Sequence, residues 1–195
     1  MISEKQVVTQ DVRPPLYIEA FASQEFCEQV IGLFHAQEVK PRSYQGLVDH
    51  ELRQCDFMLL PTDWDDLFQR IALEHMAKYY EREIDPVLYD RPMVYGYPVG
   101  VGFVPHHDQV TDIEVERGKT NSQPVIGGDY TMVMFLSKQE DYAGGALYFP
   151  ELGWSYRPPP GSAIIYPTTT DYIHGVKPIT SGVRYTVVAR FHHPR

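Results

Sequence analysis

The sequence predicts a mainly β domain, a sandwich or barrel such as a jelly roll, with helices preceding it. From Pro86 onward, short runs rich in β-branched and aromatic residues alternate with Gly and Pro, a pattern typical of strands joined by turns. Before Pro86, apolar residues recur at helical spacing instead. The 195 residues are 43% hydrophobic and contain no internal repeat. We therefore predict one domain over 1–195, large enough to bury a core.

Composition and charge argue against several function classes. The net charge is −9 and no cluster of Lys and Arg offsets it, so we expect no nucleic-acid partner, because phosphate binding needs concentrated positive charge. The longest apolar runs are too short to cross a bilayer, and the first residues lack the apolar segment of a signal peptide. We expect a cytoplasmic protein without a membrane partner. A disulfide between Cys27 and Cys55 stays open, but two reduced thiols fit that compartment better.

The N-terminal part is predicted to support the β domain. Residues 1–15 are polar and end in two prolines, so we interpret them as a loose lead-in to helical support over 16–85. A short strand is predicted at 16–18. Ser23 can cap a first helix, whose apolar positions fall on one face. These positions are Phe26, Val30, Leu33 and Phe34.

A second helix is predicted from Thr62 and Asp63, which can cap it, to about Tyr80. Its broad apolar side is expected to face the core. The residues on that side are Trp64, Leu67, Phe68, Ile71, Leu73 and Met76. The segment between the two helices is mixed, with strand candidates at 47–48 and 57–60.

The predicted jelly-roll core spans 86–191. Its strands are predicted at 87–89, 93–95, 130–136, 146–149, 163–166 and 185–191. Residues 109–129 form the longest segment without strand or helix character. Loops of this length in a compact domain are usually functional or mobile. Because this one directly follows Asp108, a lid over a site and a disordered surface loop both stay open.

Two imidazoles and one carboxylate are candidates for a metal site. His106 and Asp108 are separated by one residue, so on a strand both side chains point to one face, whereas His107 points to the other. With His174 they form the facial ligand set typical of non-haem iron(II), which keeps positions open for oxygen and a co-substrate. The His-x-Asp pair alone is weak evidence, because chance produces many such pairs. We interpret His107 as a surface or hydrogen-bonded core imidazole.

Arg184 follows His174 by ten residues and suggests what the co-substrate is. A buried Arg needs a carboxylate partner, and its planar fork suits one that accepts two parallel hydrogen bonds. Arg184 could therefore hold the far end of a dicarboxylate. Thr186 lies two residues on, hence on the same strand face, and could add a hydroxyl donor. The alternative is that Arg184 is a surface cation on an edge strand.

Four segments resemble the iron(II)/2-oxoglutarate dioxygenases of the prolyl 4-hydroxylase type. They lie at 97–108, at 144–150 (a GGxxxFP turn and strand), at 161–167 and at 174–186, and they follow the family's order. The resemblance covers roughly 87–191. It implies a double-stranded β-helix (jelly-roll) core.

The resemblance also implies roles for particular residues. His106, Asp108 and His174 would bind iron, Arg184 would pair with the distal carboxylate of 2-oxoglutarate, and Tyr97 would contact this co-substrate. The sequence departs from some members at Phe135, where they have a Tyr. Thr186 or Tyr95 is expected to replace the missing hydroxyl.

The implied activity is hydroxylation of an unactivated C–H bond with 2-oxoglutarate and O2, releasing succinate and CO2. The cofactors would be Fe(II), 2-oxoglutarate and O2, with ascorbate as a candidate reductant. Asp108 favours hydroxylation over halogenation, because related halogenases lack this carboxylate. Two alternatives are a cupin-like metal oxygenase that does not use 2-oxoglutarate, in which Arg184 and Thr186 have no purpose, and a non-catalytic jelly-roll binding module, which has no need of the triad.

The substrate partner could be a small molecule or a peptide. A free amino acid, another small molecule and a prolyl peptide all stay open. The chain lacks an obvious peptide-binding domain, which favours a free amino acid or a small natural-product intermediate. Tyr95, Trp154 and Tyr172 are candidates for the substrate side, with packing or a rim position as the alternative for each.

Overall fold

A seven-stranded and a four-stranded antiparallel sheet contain most of the strands. The computed structural model describes residues 12–37, 40–41, 55–109 and 128–194. Its strands are β1 (Leu16–Ile18), β2 (Lys40–Pro41), β3 (Asp56–Leu59), β4 (Met93–Tyr97), β5 (Phe103–His106), β6 (Tyr130–Phe135), β7 (Tyr142–Gly144), β8 (Leu147–Phe149), β9 (Trp154–Tyr156), β10 (Ala163–Pro167), β11 (His174–Val176), β12 (Ile179–Gly182) and β13 (Arg184–Phe191). Its α-helices are α1 (Gln24–Ala36), α2 (Asp65–Arg70) and α3 (Ala77–Tyr80). The prediction of a mainly β fold with N-terminal helices is confirmed.

The two larger sheets face each other across a shared apolar layer. The large sheet has the order β1-β10-β6-β13-β4-β3-β2 and the small sheet β5-β11-β8-β9, while β12 and β7 form a separate pair. Val133 and Phe135 of β6 pack with Leu147 and Phe149 of β8. One face of the large sheet is therefore turned toward the small sheet, and we refer to it as the inner face.

The opposite face of the large sheet packs against the helices. α1 begins after Ser23, whose Oγ accepts a hydrogen bond from the Phe26 N–H at 3.1 Å, so the predicted cap is confirmed. Phe26, Val30 and Phe34 are buried in the core between α1 and this face. Leu33 is partly buried against the same core.

Strand β13 contributes to both faces of the large sheet, because successive strand residues point to opposite sides. It lies between β6 and β4. Its residues Val187, Ala189 and Phe191 belong to the helix-side core. The residues that alternate with them lie on the inner face: Arg184, Thr186, Val188 and Arg190.

The second helix differs from the prediction in two details. Helical structure runs from Thr62 to Tyr80 as a 3₁₀ turn, α2, a π-helical segment (Ile71–Met76) and α3. The predicted side-chain cap is wrong: Pro61 precedes the first turn, and no side chain caps it. Leu73 is also misplaced in the prediction, since it is 58% exposed. It follows buried Ile71 by two residues, which places it on the far side of the helix.

One predicted strand is absent from the structure. Residues 87–89 form bends, and Val87 is exposed, with its N–H bonded to Asp85 Oδ1 at 2.8 Å. Aspartate side chains that accept from an amide two residues on stabilise turns rather than strands. The strand candidate at 47–48 and all but the ends of 109–129 lie outside the described residues, so the lid stays a prediction.

The structure bears on the expected reduced state of the two cysteines and on the expected absence of a membrane-spanning segment. Cys27 and Cys55 are both buried and no disulfide joins them, and burial raises the pKa of the Cys27 thiol to about 11. Among the residues that the structure describes, no helix is both long and apolar enough to cross a membrane. The single-domain assignment stays a prediction.

Candidate active site

Three predicted residues come together where the small sheet starts. His106, the last residue of β5, pairs in register with His174, the first residue of β11, and their ring centroids are 4.5 Å apart. Asp108 carboxylate oxygens lie 3.5 Å from His106 Nε2 and 3.7 Å from His174 Nε2. One ligand atom from each residue lies within 4.8 Å of the others, close enough for a shared metal ion.

The local reason for this proximity differs from the one predicted. β5 ends at His106, so Asp108 is not on the same strand and alternation does not place it. The Thr131 hydroxyl of β6 instead donates a hydrogen bond to Asp108 Oδ2 at 2.6 Å. This bond ties the carboxylate to the large sheet, so the site spans both sheets. His107, as predicted, is not a member of the group.

Backbone carbonyls fix the orientation of both imidazoles. His106 Nδ1 lies 2.9 Å from the Val104 carbonyl oxygen, and His174 Nδ1 lies 3.0 Å from that of Tyr172. Because a carbonyl only accepts, each Nδ1 carries the proton and each Nε2 presents its lone pair toward Asp108. The Tyr166 hydroxyl donates to His174 Nε2 at 2.9 Å, so a metal ion bound there would displace this hydrogen bond.

The surroundings leave His174 and Asp108 in the charge states that metal binding requires. Burial lowers the pKa of His174 to about 4. Burial would raise the pKa of Asp108, but the adjacent His106 and His174 rings and the hydrogen bond from the Thr131 hydroxyl outweigh that effect and hold the pKa well below its usual value. At neutral pH, His174 is therefore neutral and Asp108 is ionised, which are the forms that bind a metal ion.

Arg184 is a buried cation that has no ion-pair partner in the part of the chain that the structure describes. Its side chain is 1% exposed, and Nε, Nη1 and Nη2 are buried without a hydrogen-bond partner among the described residues. Burial lowers its pKa, and the nearby hydroxyls of Tyr97 and Tyr142 oppose that shift. The rings of Tyr97 and Phe135 lie 5.0 and 4.9 Å from its guanidinium carbon. An unpaired buried charge is costly, so the surroundings are those of an anion site.

Two hydroxyls near this guanidinium also lack partners within the described part of the chain. They belong to Thr186, which was predicted, and to Tyr142, which was not. A Cβ added to Gly145 would lie 2.9 Å from Arg184 Cδ and 3.2 Å from Tyr142 Cε2. The bare glycine, at φ +66°, therefore lets the Tyr142 ring approach the Arg184 side chain.

Comparison with known proteins agrees with this geometry. The model of the 2OG-Fe(II) oxygenase superfamily matches residues 92–192. This chain belongs to that superfamily. A PKHD-type hydroxylase from Crocosphaera subtropica is 35% identical over 168 residues, which cover 84% of this chain and 65% of that protein. Another, from Beijerinckia indica, is 38% identical over 137 residues, 69% of this chain and 52% of that protein. The chain thus spans less than two thirds of the length of these relatives.

Solved structures show the same fold at low sequence identity. The viral collagen prolyl hydroxylase of Paramecium Bursaria Chlorella virus-1 superposes with a TM-score of 0.69 at 16% identity, covering 94% of this chain and 97% of that one. A Pseudomonas putida prolyl-4-hydroxylase gives a TM-score of 0.67 at 14% identity over 93% and 94% of the two chains. The predicted jelly roll and the family resemblance are both confirmed.

The remaining predicted residues of this oxygenase-family chain have different outcomes. Tyr97 pairs in register with Arg184, and its contact with 2-oxoglutarate stays a prediction. The Tyr95 hydroxyl donates to Met93 Sδ at 3.2 Å. Because the Thr186 hydroxyl has no such bond, Thr186 fits the predicted replacement better than Tyr95.

The other two substrate-side candidates, Tyr172 and Trp154, both make packing contacts. Tyr172 is buried and its hydroxyl donates to the Arg13 carbonyl at 2.8 Å. Trp154 lies on β9, at the edge of the small sheet, and packs edge-on against Phe149. The structure therefore favours the packing alternative for both.

Sequence reasoning missed Thr131, Tyr142 and Tyr166. Thr131 and Tyr166 are adjacent strand partners on β6 and β10, and the former reaches Asp108, the latter His174. Tyr142 is opposite Gly182 in the β7–β12 pair, which carries it toward Arg184. The chain itself contains no signal for these contacts, because each depends on strand register between distant segments.

Proposed function

We propose that the protein catalyses 2-oxoglutarate- and O2-dependent hydroxylation of an unactivated C–H bond, with release of succinate and CO2. The observation that carries this proposal is Arg184, a fully buried guanidinium with three unpartnered nitrogens on the inner face of the sheet. Membership of the 2OG-Fe(II) oxygenase superfamily supports it, as does the name PKHD-type hydroxylase that the relatives carry.

His106 Nε2, His174 Nε2 and the Asp108 carboxylate would hold Fe(II). Two imidazoles and one carboxylate on one side of an ion suit this metal and leave positions for other ligands. Bound iron(II) would supply the activation of oxygen. The protein keeps the ligand atoms aimed inward through the carbonyls of Val104 and Tyr172, because these fix the protonated nitrogen of each ring.

Arg184 would bind the distal carboxylate of 2-oxoglutarate through two parallel charge-assisted hydrogen bonds. The hydroxyls of Thr186 and Tyr142 would add donors, and together they would replace the hydroxyl missing at Phe135. Tyr97 would cover the guanidinium with its ring. This binding mode orients the 2-oxo acid end of the molecule toward the triad.

Tyr166 supports placing the triad and Arg184 in one chamber. Burial raises its pKa well above the ordinary value, the charge of Asp108 raises it further, and the charge of Arg184 opposes the shift. One buried side chain is thus close to both groups. Neither alternative function uses both of them: an oxygenase without 2-oxoglutarate leaves Arg184 unpaired, and a binding module leaves the triad without a purpose.

The test is visible spectroscopy under anaerobic conditions. Fe(II) and 2-oxoglutarate together are expected to give a charge-transfer band in the folded protein, and His174→Ala is expected to abolish it. His107→Ala is the matched control, because it removes the neighbouring imidazole that lies outside the triad, and it should keep the band. Folded wild-type protein without a band would refute the assignment.

The coarse substrate range in this proposal is a free amino acid, a small molecule or a prolyl peptide. The proposed cofactors are Fe(II), 2-oxoglutarate and O2, with ascorbate as candidate reductant. Succinate release in the presence of each substrate class is the direct measurement of turnover.

A further inference from the structure

The inner face of β13 has a second arginine. Arg190 follows Arg184 by six residues on the same face, roughly 20 Å along the strand. The charges of Arg190 and Arg184 both act on Tyr166, which lies at His174. The two cations therefore share the inner face of β13, and only Arg184 has a role in binding 2-oxoglutarate.

Arg190 lies beside the candidate metal ligands. It pairs in register with Thr131 of β6, and the Thr131 hydroxyl is the one that holds Asp108. The negative charge of Asp108 reaches Arg190. A group bound to Arg190 would consequently be next to the position where a substrate C–H bond must approach the metal.

Arg190 forms an ion pair with Asp90 that leaves both partners with hydrogen-bonding capacity. Arg190 Nη1 donates to Asp90 Oδ2 at 2.7 Å, and within the described ranges this is the only hydrogen bond of either side chain. A guanidinium has five donors and a carboxylate accepts about four hydrogen bonds. Asp90 Oδ1 is buried and has no partner among the described residues. The side chains are 25% and 33% exposed, so a ligand can reach the pair from solvent.

We propose that Arg190 and Asp90 bind the head group of a free α-amino acid substrate. Arg190 would bind the carboxylate and Asp90 would bind the ammonium group. Both groups are attached to the α-carbon of the ligand, so they are close enough to reach two adjacent side chains of the protein. A turn of the partly exposed Asp90 side chain presents Oδ1 to the ammonium group. This inference rests on the proposed function, because it names the substrate of that same site.

The neighbouring wall indicates an uncharged amino acid. Met93, opposite Val188 in register, and Tyr95 are buried on the inner face next to this strand. A charged substrate side chain there would lose hydration, and within the described ranges no residue of opposite charge lies on this wall to offset that loss. An internal prolyl residue of a peptide fits less well, because its neutral amides would cover the ion pair without supplying either charge.

The experiment is calorimetric titration of the protein loaded with Mn(II), which replaces iron without turnover, and 2-oxoglutarate. The ligands are the uncharged proteinogenic L-amino acids, their N-acetyl amides and a prolyl peptide. At least one free amino acid is expected to bind, and its N-acetyl amide is expected to bind roughly 10- to 100-fold more weakly, because hydrogen bonds to both charges are lost. Arg190→Gln should weaken the binding of the free amino acid by a similar factor and leave the affinity for 2-oxoglutarate unchanged.

The control variant is Lys138→Gln. Lys138 forms an exposed ion pair with Glu28 at 3.1 Å, with 38% and 56% side-chain exposure, and it is not on β13. Its loss should leave amino-acid affinity unchanged. A second variant exchanges the charges, Arg190→Asp with Asp90→Arg. If the pair were only structural, this exchange would restore binding, whereas the proposal predicts that binding stays lost.

The outcomes separate this inference from the proposed function. A protein that binds 2-oxoglutarate but none of the free amino acids overturns the inference and leaves the proposed function intact. The inference is also overturned if the prolyl peptide or an N-acetyl amide binds as well as the free amino acid, or if Arg190→Gln binds like wild type. A protein that does not bind 2-oxoglutarate refutes the proposed function, and the inference fails with it.

Discussion

Replacing Arg184 by Met is expected to stabilise the protein without 2-oxoglutarate and to remove its response to 2-oxoglutarate. An ion held in a protein interior without a partner carries a penalty of several kcal/mol. The Tyr97 and Phe135 rings, 5.0 and 4.9 Å from the guanidinium carbon, recover about 1 kcal/mol each. Met has an unbranched side chain without a charge. We therefore expect the free energy of unfolding to rise by about 1–3 kcal/mol.

The effect of Arg184→Met on binding has the opposite sign. Two charge-assisted hydrogen bonds to the distal carboxylate contribute about 1.5–3 kcal/mol each. Their loss should raise the dissociation constant of 2-oxoglutarate by about 100-fold or more. The Arg184 charge thus destabilises the protein without 2-oxoglutarate and stabilises its complex with 2-oxoglutarate.

Thermal unfolding of the Mn(II)-loaded proteins over a range of 2-oxoglutarate concentrations measures both effects. The free energy of unfolding of the wild-type protein should rise by about 2.7 kcal/mol when 2-oxoglutarate is present at 100 times its dissociation constant. Without 2-oxoglutarate, the melting temperature of Arg184→Met should be about 3 °C or more above that of wild type. It should stay nearly constant at those 2-oxoglutarate concentrations. Arg91→Met is the control, since Arg91 already has a partner in Asp65, and it should keep the rise. An Arg184→Met protein that is less stable than wild type and still responds to 2-oxoglutarate would refute the anion-site interpretation.

Three further substitutions test the surroundings of the site. Tyr142→Phe should raise the 2-oxoglutarate dissociation constant by about 5- to 10-fold, because one hydroxyl donor is lost; unchanged affinity in calorimetry would remove Tyr142 from the pocket. Thr131→Val should weaken Mn(II) binding about 10- to 100-fold by releasing the Asp108 carboxylate, and wild-type affinity would contradict this positioning role. Gly145→Ala should lower the free energy of unfolding by about 1–3 kcal/mol in urea titrations, because the residue has φ +66° and its Cβ would clash with Ile179 Cδ1 and lie 2.9 Å from Arg184 Cδ. The control is Gly153→Ala, because Gly153 also has a positive φ but an added Cβ would have nothing within 4 Å. Its free energy of unfolding should fall by less.

Local sequence patterns were sufficient to predict the structural features that depend on residues close together in the sequence. Ser23 caps α1 because a cap is a local hydrogen bond, and β4, β6, β8, β10 and β13 follow the short β-rich runs that predict strands. Asp85 shows the limit of such patterns. Its side chain binds the Val87 amide and converts an apparent strand into a turn, a competition that hydrophobicity does not reveal.

The candidate site was predictable where its residues belong to a continuous motif, and not where they meet through strand pairing. The interval from His174 to Arg184 lies within one segment, and the family resemblance includes it. Tyr142 comes near Arg184 only through the β7–β12 pairing and the space at Gly145. Arg190 is visible as an inner-face residue only once the alternation of β13 is known.

The alternation of β13 also explains how the fold holds two arginines on its inner face. A buried guanidinium favours any rearrangement that returns it to water, so the strand must be fixed in place. Val187, Ala189 and Phe191 are fully buried against the helices, and β13 is hydrogen-bonded to both β6 and β4. A shift of one residue would turn these apolar side chains inward and both arginines toward the helices. The helix-side core therefore fixes the register of β13, and this register sets the positions of Arg184 and Arg190 relative to the metal ligands.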